Sequence, residues 1–500
     1  MTSANTVPLT GPLKPGQPKR ALVLPGGGLR LSYQAGILLA LEEAGLEFQY
    51  FDGTSGGSLN MSMLLSGLNP AEICRRWRTL NLKDTIAFLP LKDYLRVENL
   101  EGLGDSKGFR TKVLPHFGID TARIRTVDTP PASYNVLDYA NKAVKVISHR
   151  DIDEDMIIAG MSLPGVFPPV RKDGGIYLDT GFVQDANLME AVKNGAEEIW
   201  VLWGLGNTGT YRGGPLHLYV QMLEMSANAA LNNQLETIRE INRRIENGDS
   251  PYGQTHGIRV HVVKPDYPLP LDPDLYLGKI DHGTLIEMGY ADAKTYLNAL
   301  PKATAETQAN PSCMKDPAPG IRFRKCFQGQ ISLAQQPESK QDLKIELCIH
   351  IADLDAFLAD PEHAARITGH LSCPAFGPMV LLAESRFFLS NLSNRTRRIG
   401  YELRFDSENR RYKLAAEQIL HDDPGPDMWR DLSTISAQLF AADPADSRPL
   451  GTGTLHSAMG GVKDWLGGIR ATETQTVTDE LKVVARFARF ILGELYDVYG

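Results

Sequence analysis

The run Gly53-Thr54-Ser55-Gly56-Gly57 sets one hydroxyl among glycines, a placement suited to nucleophilic attack on an acyl carbon. A serine is a weak nucleophile unless it is lifted clear of the backbone, given a proton acceptor and supplied with donors for the oxyanion that forms. A Gly-x-Ser-x-Gly elbow meets the first need, since Gly53 and Gly57 leave room for a sharp turn between a strand and a helix. The run Gly26-Gly27-Gly28-Leu29-Arg30 offers the donors, because amides at a helix start are unpaired and favour negative charge. Taken alone, the first run is also a plain glycine-rich turn and the second a phosphate-binding loop. Their pairing, about 25 residues apart, is more specific than either. Arg30 can support the loop or meet an anionic lipid headgroup, or be an ordinary solvated arginine.

These runs resemble the patatin-like phospholipase family, whose signature is a Gly-Gly-Gly-x-Arg-Gly loop, a Gly-x-Ser-x-Gly elbow and a later Asp-Gly-Gly or Asp-Gly-Ala. The resemblance covers about residues 19–300 and takes in Ser162-Leu-Pro-Gly-Val-Phe-Pro-Pro-Val170 and His282-Gly-Thr-Leu-Ile-Glu-Met-Gly-Tyr290. It implies a lipid acyl hydrolase of phospholipase A or lysophospholipase kind, with a Ser–Asp dyad, a covalent acyl-serine and no cofactor or metal. Its substrate would be a glycerophospholipid or lysolipid, met with peripheral membrane contact. Ser55 is then the nucleophile, and Gly26, Gly27 and Gly28 form the oxyanion hole. Two aspartates compete for the base. Asp173-Gly174-Gly175 matches the letters, but the spacing from Phe167-Pro168-Pro169 and the run Ile176-Tyr177-Leu178-Asp179-Thr180-Gly181 put Asp179 at the end of a short strand, the family's place for it. Asp-Gly is also a common turn dipeptide. A Ser-Asp-His triad stays open, with His217, His256, His261 and His282 in suitable positions. The chain departs from the family pattern at Leu31, at Thr180 and at Gln184-Asp185-Ala186-Asn187. Leu31 and Thr180 are expected to narrow the pocket.

Two rival readings stand beside this one. Gly204-Leu205-Gly206-Asn207-Thr208-Gly209 follows a strand and has the glycine spacing of a dinucleotide-binding oxidoreductase. No acidic residue closes a second strand at the distance ribose recognition needs. A non-catalytic lipid-binding or scaffold protein is the other.

The elements that must position these residues follow from periodicity. Short buried strands are expected at Arg20–Leu24 and Phe48–Asp52, each followed by a glycine turn and a helix, at 31–46 and 58–68. Strands near 133–148, 176–178, 198–203 and 259–263 and helices at 153–162, 216–245 and 285–300 continue the alternation. It predicts an α/β domain with a mainly parallel sheet under helices. Residues 302–320, rich in Pro, Ala, Lys and Thr, read as a linker between a catalytic domain at 19–301 and a β-rich domain at 321–500; residues 1–18 read as a flexible start. The second domain shows alternating runs such as 344–349, 379–382 and 401–405, suggesting a β-sandwich or open barrel. A closing helix at 478–499 carries Leu481, Val484, Phe487, Phe490, Ile491 and Leu495 along one side. The texture of this region, in Tyr401–Phe405, Trp429–Leu432 and Phe487–Tyr496, is diffusely similar to an accessory region of flavin-dependent sterol oxidases. That similarity implies docking onto lipid; a structural cap is the other reading.

A net charge of −8 over 500 residues argues against a nucleic-acid partner. Five scattered cysteines without a C-x-x-C pair read as reduced thiols. With no signal-like or membrane-spanning run, a cytoplasmic location is expected, peripheral membrane contact and export without a cleaved signal remaining compatible.

Overall fold

The computed structural model describes residues 7–500 except 89–99, 129, 301–310, 335, 394, 409, 424–427, 443–447, 458–467 and 475. The chain divides into two compact units, Met1–Lys315 and Asp316–Gly500.

In the first unit eight strands form one sheet: β1 (Arg20–Leu24), β2 (Tyr50–Thr54), β3 (Ala132–Asp138), β4 (Ala143–Ser148), β5 (Val170–Lys172), β6 (Gly175–Leu178), β7 (Glu198–Leu202) and β8 (Arg259–Val263). Five run parallel in the order β8-β7-β1-β2-β3. β3 also pairs antiparallel with β4 and β6, and β6 with β5. Ala21 to Leu24 and Ile199 to Leu202 are buried throughout, as parallel strands covered on both faces must be. The expected mainly parallel sheet is therefore present, with an antiparallel margin. Helices α1 (Ser32–Glu43) and α2 (Gly57–Leu65) follow the first two strands, and the long helix α3 (Pro215–Glu246) lays Leu231, Leu235, Ile238 and Ile241 on the core beside β7. Helix α4 (His282–Ala299) lies against α1 through two glycines. A Cβ at Gly36 would sit 1.9 Å from the Ile286 carbonyl oxygen, and one at Gly289 2.0 Å from that of Tyr33.

The opening residues are less loose than expected. Val7 and Leu9 are buried, and Thr10 bridges Phe48. Of the expected linker, residues 302–310 lie outside the described residues. Ser312 is fully buried in the first unit, its hydroxyl donating to Asn228 Oδ1 at 2.9 Å, and Gly320 already begins a strand.

The second unit is a closed barrel. Strands β9 (Gly320–Leu333), β10 (Gln336–Ile351), β11 (Ala365–Cys373), β12 (Gly377–Ser393), β13 (Thr396–Ser407), β14 (Arg410–His421), β15 (Thr434–Ala441) and β16 (Gly451–Ser457) pair antiparallel, each with the next. β16 returns to β9 over Phe327↔Ser457 to Leu333↔Gly451. The expectation of a sandwich or open barrel is corrected by this closure. Two glycines permit the close approach at this seam: a Cβ at Gly329 would meet the Thr454 carbonyl oxygen at 2.3 Å, and one at Gly453 that of Gln330 at 2.4 Å. Closure leaves no open edge among these eight strands. Phe323, Phe327, Ile345, Ile367, Leu403 and Leu455 are among the buried residues that fill its core. Helix α5 (Val477–Tyr499) packs Phe487, Val484, Phe490 and Ile491 on that core, but Leu481, expected on the same side, is exposed. It lies in the helix's first turns, before the seam begins.

Candidate active site

β2 and β6 meet end to end. β4 takes one edge of β3 over residues 133–138, so β2 and β6 must share the other. There Thr54 lies opposite Asn135, and Leu178 opposite Leu137. The residue after each strand, Ser55 and Asp179, is thereby delivered to the same level of the sheet from opposite directions. The Ser55 hydroxyl donates to Asp179 Oδ2 at 2.5 Å, across 124 residues of chain.

The elbow is as tight as its glycines suggest. Ser55 has φ +50, a left-handed conformation that a non-glycine residue adopts at a cost of about 1–2 kcal/mol. A Cβ at Gly57 would lie 2.1 Å from the Leu24 carbonyl oxygen, so α2 starts hard against the end of β1. Gly53 is less constrained, its nearest neighbour being the Met61 methyl at 2.8 Å. Beneath the elbow Asp52 is fully buried, accepting from Ser133 at 2.5 Å and Asn135 at 2.8 Å. Burial still pushes its carboxyl up to about 7. Asn135 also receives a bond from Asn187, so the strand ends and the segment behind Asp179 share one polar network.

Asp179 is 1% exposed. Burial raises its carboxyl to about 6, while donation from Ser55 and from the Gly181 amide, at 2.9 Å, acts in the opposite direction. Among the described residues no histidine bonds to Ser55 or Asp179. His256 lies beside Glu197, His261 stacks on Trp200 and His282 meets the Ser32 hydroxyl at 3.0 Å. Asp173 sits at φ +49, exposed, in the turn between β5 and β6.

Gly27 and Gly28 have φ of +153 and +66, conformations open to glycine. Their amides have no acceptor among the described residues, whereas the flanking amides do. Gly26 N donates to Asp185 Oδ2 at 3.0 Å, and Leu29 N to both oxygens of Asp272 at 3.1 and 3.2 Å. Arg30 is buried, not solvated. Its Nε donates to the Gly27 carbonyl at 3.1 Å and lies 3.9 Å from Asp272, while Nη1 has no partner among the described residues. Leu31 wedges between loop and elbow: a Cβ at Gly56 would meet its Cδ1 at 2.5 Å and one at Gly27 its Cδ2 at 3.0 Å. Thr180 turns inward and donates to the Gln184 carbonyl at 2.6 Å, closing the turn that returns Asp185 to the loop. The Asp185 and Asp272 anchors were not anticipated from sequence. Asp185 stood out only as a departure from the family pattern, and nothing local marks Asp272, 243 positions beyond Leu29.

Apolar groups surround the pair. A Cβ at Gly181 would lie 2.9 Å from Leu223 Cδ1, 3.4 Å from Asp179 Oδ1 and 3.7 Å from Leu163 Cδ1. Tyr219 of α3 donates to the Pro164 carbonyl at 2.5 Å and meets the edge of Phe182. On the same end of α3, Leu216, Leu218, Met222 and Met225 are exposed. The rival dinucleotide turn has a different use. The Gly206 amide donates to Glu224 at 3.1 Å, and the next helix begins only at Pro215. No cluster of metal-ligating side chains occurs among the described residues.

The patatin-like phospholipase family model matches residues 22–192. Lysophospholipase NTE1 of Debaryomyces hansenii is 28% identical over 185 residues, 36% of this chain and 11% of that protein. Lysophospholipase NTE1 of Lodderomyces elongisporus is 26% identical over 188 residues, 36% of this chain and 12% of that protein. The chain thus spans about a tenth of the length of these relatives. Among solved structures, VipD from Legionella pneumophila aligns with a TM-score of 0.31 and 12% identity over 60% of this chain and 72% of that one, too low to carry an argument. On the family match and the NTE1 relatives, this chain carries a patatin-like phospholipase domain over residues 22–192.

Proposed function

We propose that this chain is a serine acyl hydrolase of lipids in which Ser55 attacks, Asp179 accepts its proton and the Gly27 and Gly28 amides hold the oxyanion. The observation that carries the reading is the 2.5 Å bond from Ser55 to a buried carboxyl, with no histidine between them. The Ser55 oxygen bonds to the acyl carbon as its proton passes to Asp179, and the carbonyl electron pair moves onto oxygen. Collapse of that adduct expels the alcohol, which takes the proton back from Asp179. Water then repeats the sequence on the acyl-serine and releases the fatty acid. A carboxyl at about 6 suits this exchange better than one near 4, since it is ionised at neutral pH yet a stronger base.

Of the three glycines expected to form the oxyanion hole, Gly26 is assigned elsewhere because its amide is already bonded. Arg30 is a loop support, since its Nε holds the Gly27 carbonyl. Leu163, Leu223 and Phe182 offer the acyl chain an apolar surround, and the exposed end of α3 offers a lipid aggregate a place to rest. The name of the NTE1 relatives favours a lysophospholipid among glycerolipid substrates. The test is hydrolysis of lysophosphatidylcholine and of p-nitrophenyl butyrate by wild type and Ser55→Ala. Loss of both activities in the variant supports the reading; equal activity in the two proteins leaves the lipid-binding scaffold in its place.

A further inference from the structure

Gly26 is all that separates Asp185 from the nucleophile. A methyl group on its Cα would lie 2.4 Å from Asp185 Oδ1 and 2.8 Å from Ser55 Cβ. Asp185 is 2% exposed and its other oxygen accepts the Gly26 amide at 3.0 Å. The charged groups facing it are Asp179 from the end of β6 and Arg30 from the glycine loop. Arg30 is faced in turn by Glu224 on α3 and by Asp272. Carboxyl groups outnumber the guanidinium in this cluster, and buried acids that share a space do not ionise together. Burial first, then the charge of Asp179, push Asp185 up to about 8, above Asp179 at about 6.

We propose that Asp185 is a positioning residue whose protonation gates the reaction: as the neutral acid it pins Gly26 beside Ser55, and as a carboxylate it opposes the negative charge that turnover builds on the same loop. The inference rests on the serine hydrolase reading above. During attack the charge leaves Asp179, which gains the Ser55 proton, and reappears on the acyl oxygen at the Gly27 and Gly28 amides. A charged Asp185, bonded to the Gly26 amide, stands beside the Gly27 and Gly28 amides at which that charge arrives. Between the two titrations one carboxyl is ionised and one neutral, the combination this chemistry needs.

The experiment is the pH profile of kcat/KM on p-nitrophenyl butyrate for wild type, Asp185→Asn and Ser55→Ala. Asparagine keeps an oxygen for the Gly26 amide and removes the charge. Wild type is expected to rise to a plateau above about pH 6 and to fall about tenfold per unit above about pH 8. Asp185→Asn should keep the acid limb and lose the alkaline one. An unchanged alkaline limb in Asp185→Asn, or a folded variant inactive at every pH, overturns the proposal. If Asp185→Asn does not fold, the rate at which a fluorophosphonate labels Ser55 of wild type decides: decline above about pH 8 supports the gate, and a monotonic rise overturns it. Activity undiminished in Ser55→Ala instead removes the hydrolase reading itself, and this inference with it.

Discussion

In the proposed mechanism the chemistry is concentrated in two side chains, and each has a distinct expected phenotype. Ser55→Ala removes the nucleophile and Asp179→Asn the base, so each should lower kcat by about 10³-fold or more while circular dichroism stays that of wild type. Because the two act as one unit, the double variant should be no worse than either single one. Asp179 also predicts an acid limb. As the proposed base it acts as the carboxylate, and its carboxyl lies at about 6, so kcat/KM should fall as pH drops below that value and vanish toward pH 4. The sequence singled out both residues of the proposed dyad, Ser55 by its glycines and Asp179 by its place at the end of a strand, and the fold brings their side chains into hydrogen-bond contact. The partners of the glycine loop were not. A carboxyl that caps an amide 159 or 243 positions away leaves no local pattern, since what selects it is the fold of the intervening chain.

At the scale of elements, close approach at glycine decides how the site is framed. The Gly57 position faces the Leu24 and Pro25 carbonyls at 2.1 and 2.4 Å, rigid backbone that cannot yield. Gly57→Ala is therefore expected to cost on the order of 3 kcal/mol and to lower activity with stability. Gly53→Ala meets a methionine methyl at 2.8 Å that can turn aside and backbone, the Ser58 Cα, only at 3.0 Å, so it should be the milder change, a ranking that chemical denaturation of the two variants will check. Gly289→Ala, which would drive α4 away from the Tyr33 carbonyl, should destabilise as Gly57→Ala does and leave the pH profile unaltered. Periodicity located most strands of the first sheet and its longest helices within a few residues, because buried parallel strands and amphipathic helices write their partners into spacing, while short helices such as Pro70–Arg78 went unread. It could not show that β4 and β6 run antiparallel, nor that β16 closes on β9. Register across a sheet depends on residues far apart in the chain.

For the molecule as a whole, buried acids set the response to pH. Asp52 and Asp185 have folded-state values of about 7 and 8, well above that of an exposed aspartate, so the native state holds protons that the unfolded chain has lost. Such groups make stability fall as pH rises, until their folded-state values are passed. Buried His261 and His282, depressed to about 4, act oppositely, but their effect is complete once an exposed histidine is neutral, near pH 6.5. From about pH 6.5 to 8 the acids alone remain. Calorimetry should show the unfolding transition of the first unit falling in that window by on the order of 1 kcal/mol per pH unit, then levelling.

The end-to-end meeting of β2 and β6 along β3 has a practical consequence. Tyr139 to Lys142, the hairpin between β3 and β4, is largely exposed, and a cut there leaves Ser55 and the docking edge of β3 on one fragment and Asp179 with β6 on the other. Neither piece holds both residues of the proposed dyad. Fused to two proteins under study, the fragments would regain esterase activity only when those proteins bring them together, which turns this fold into a split reporter of association.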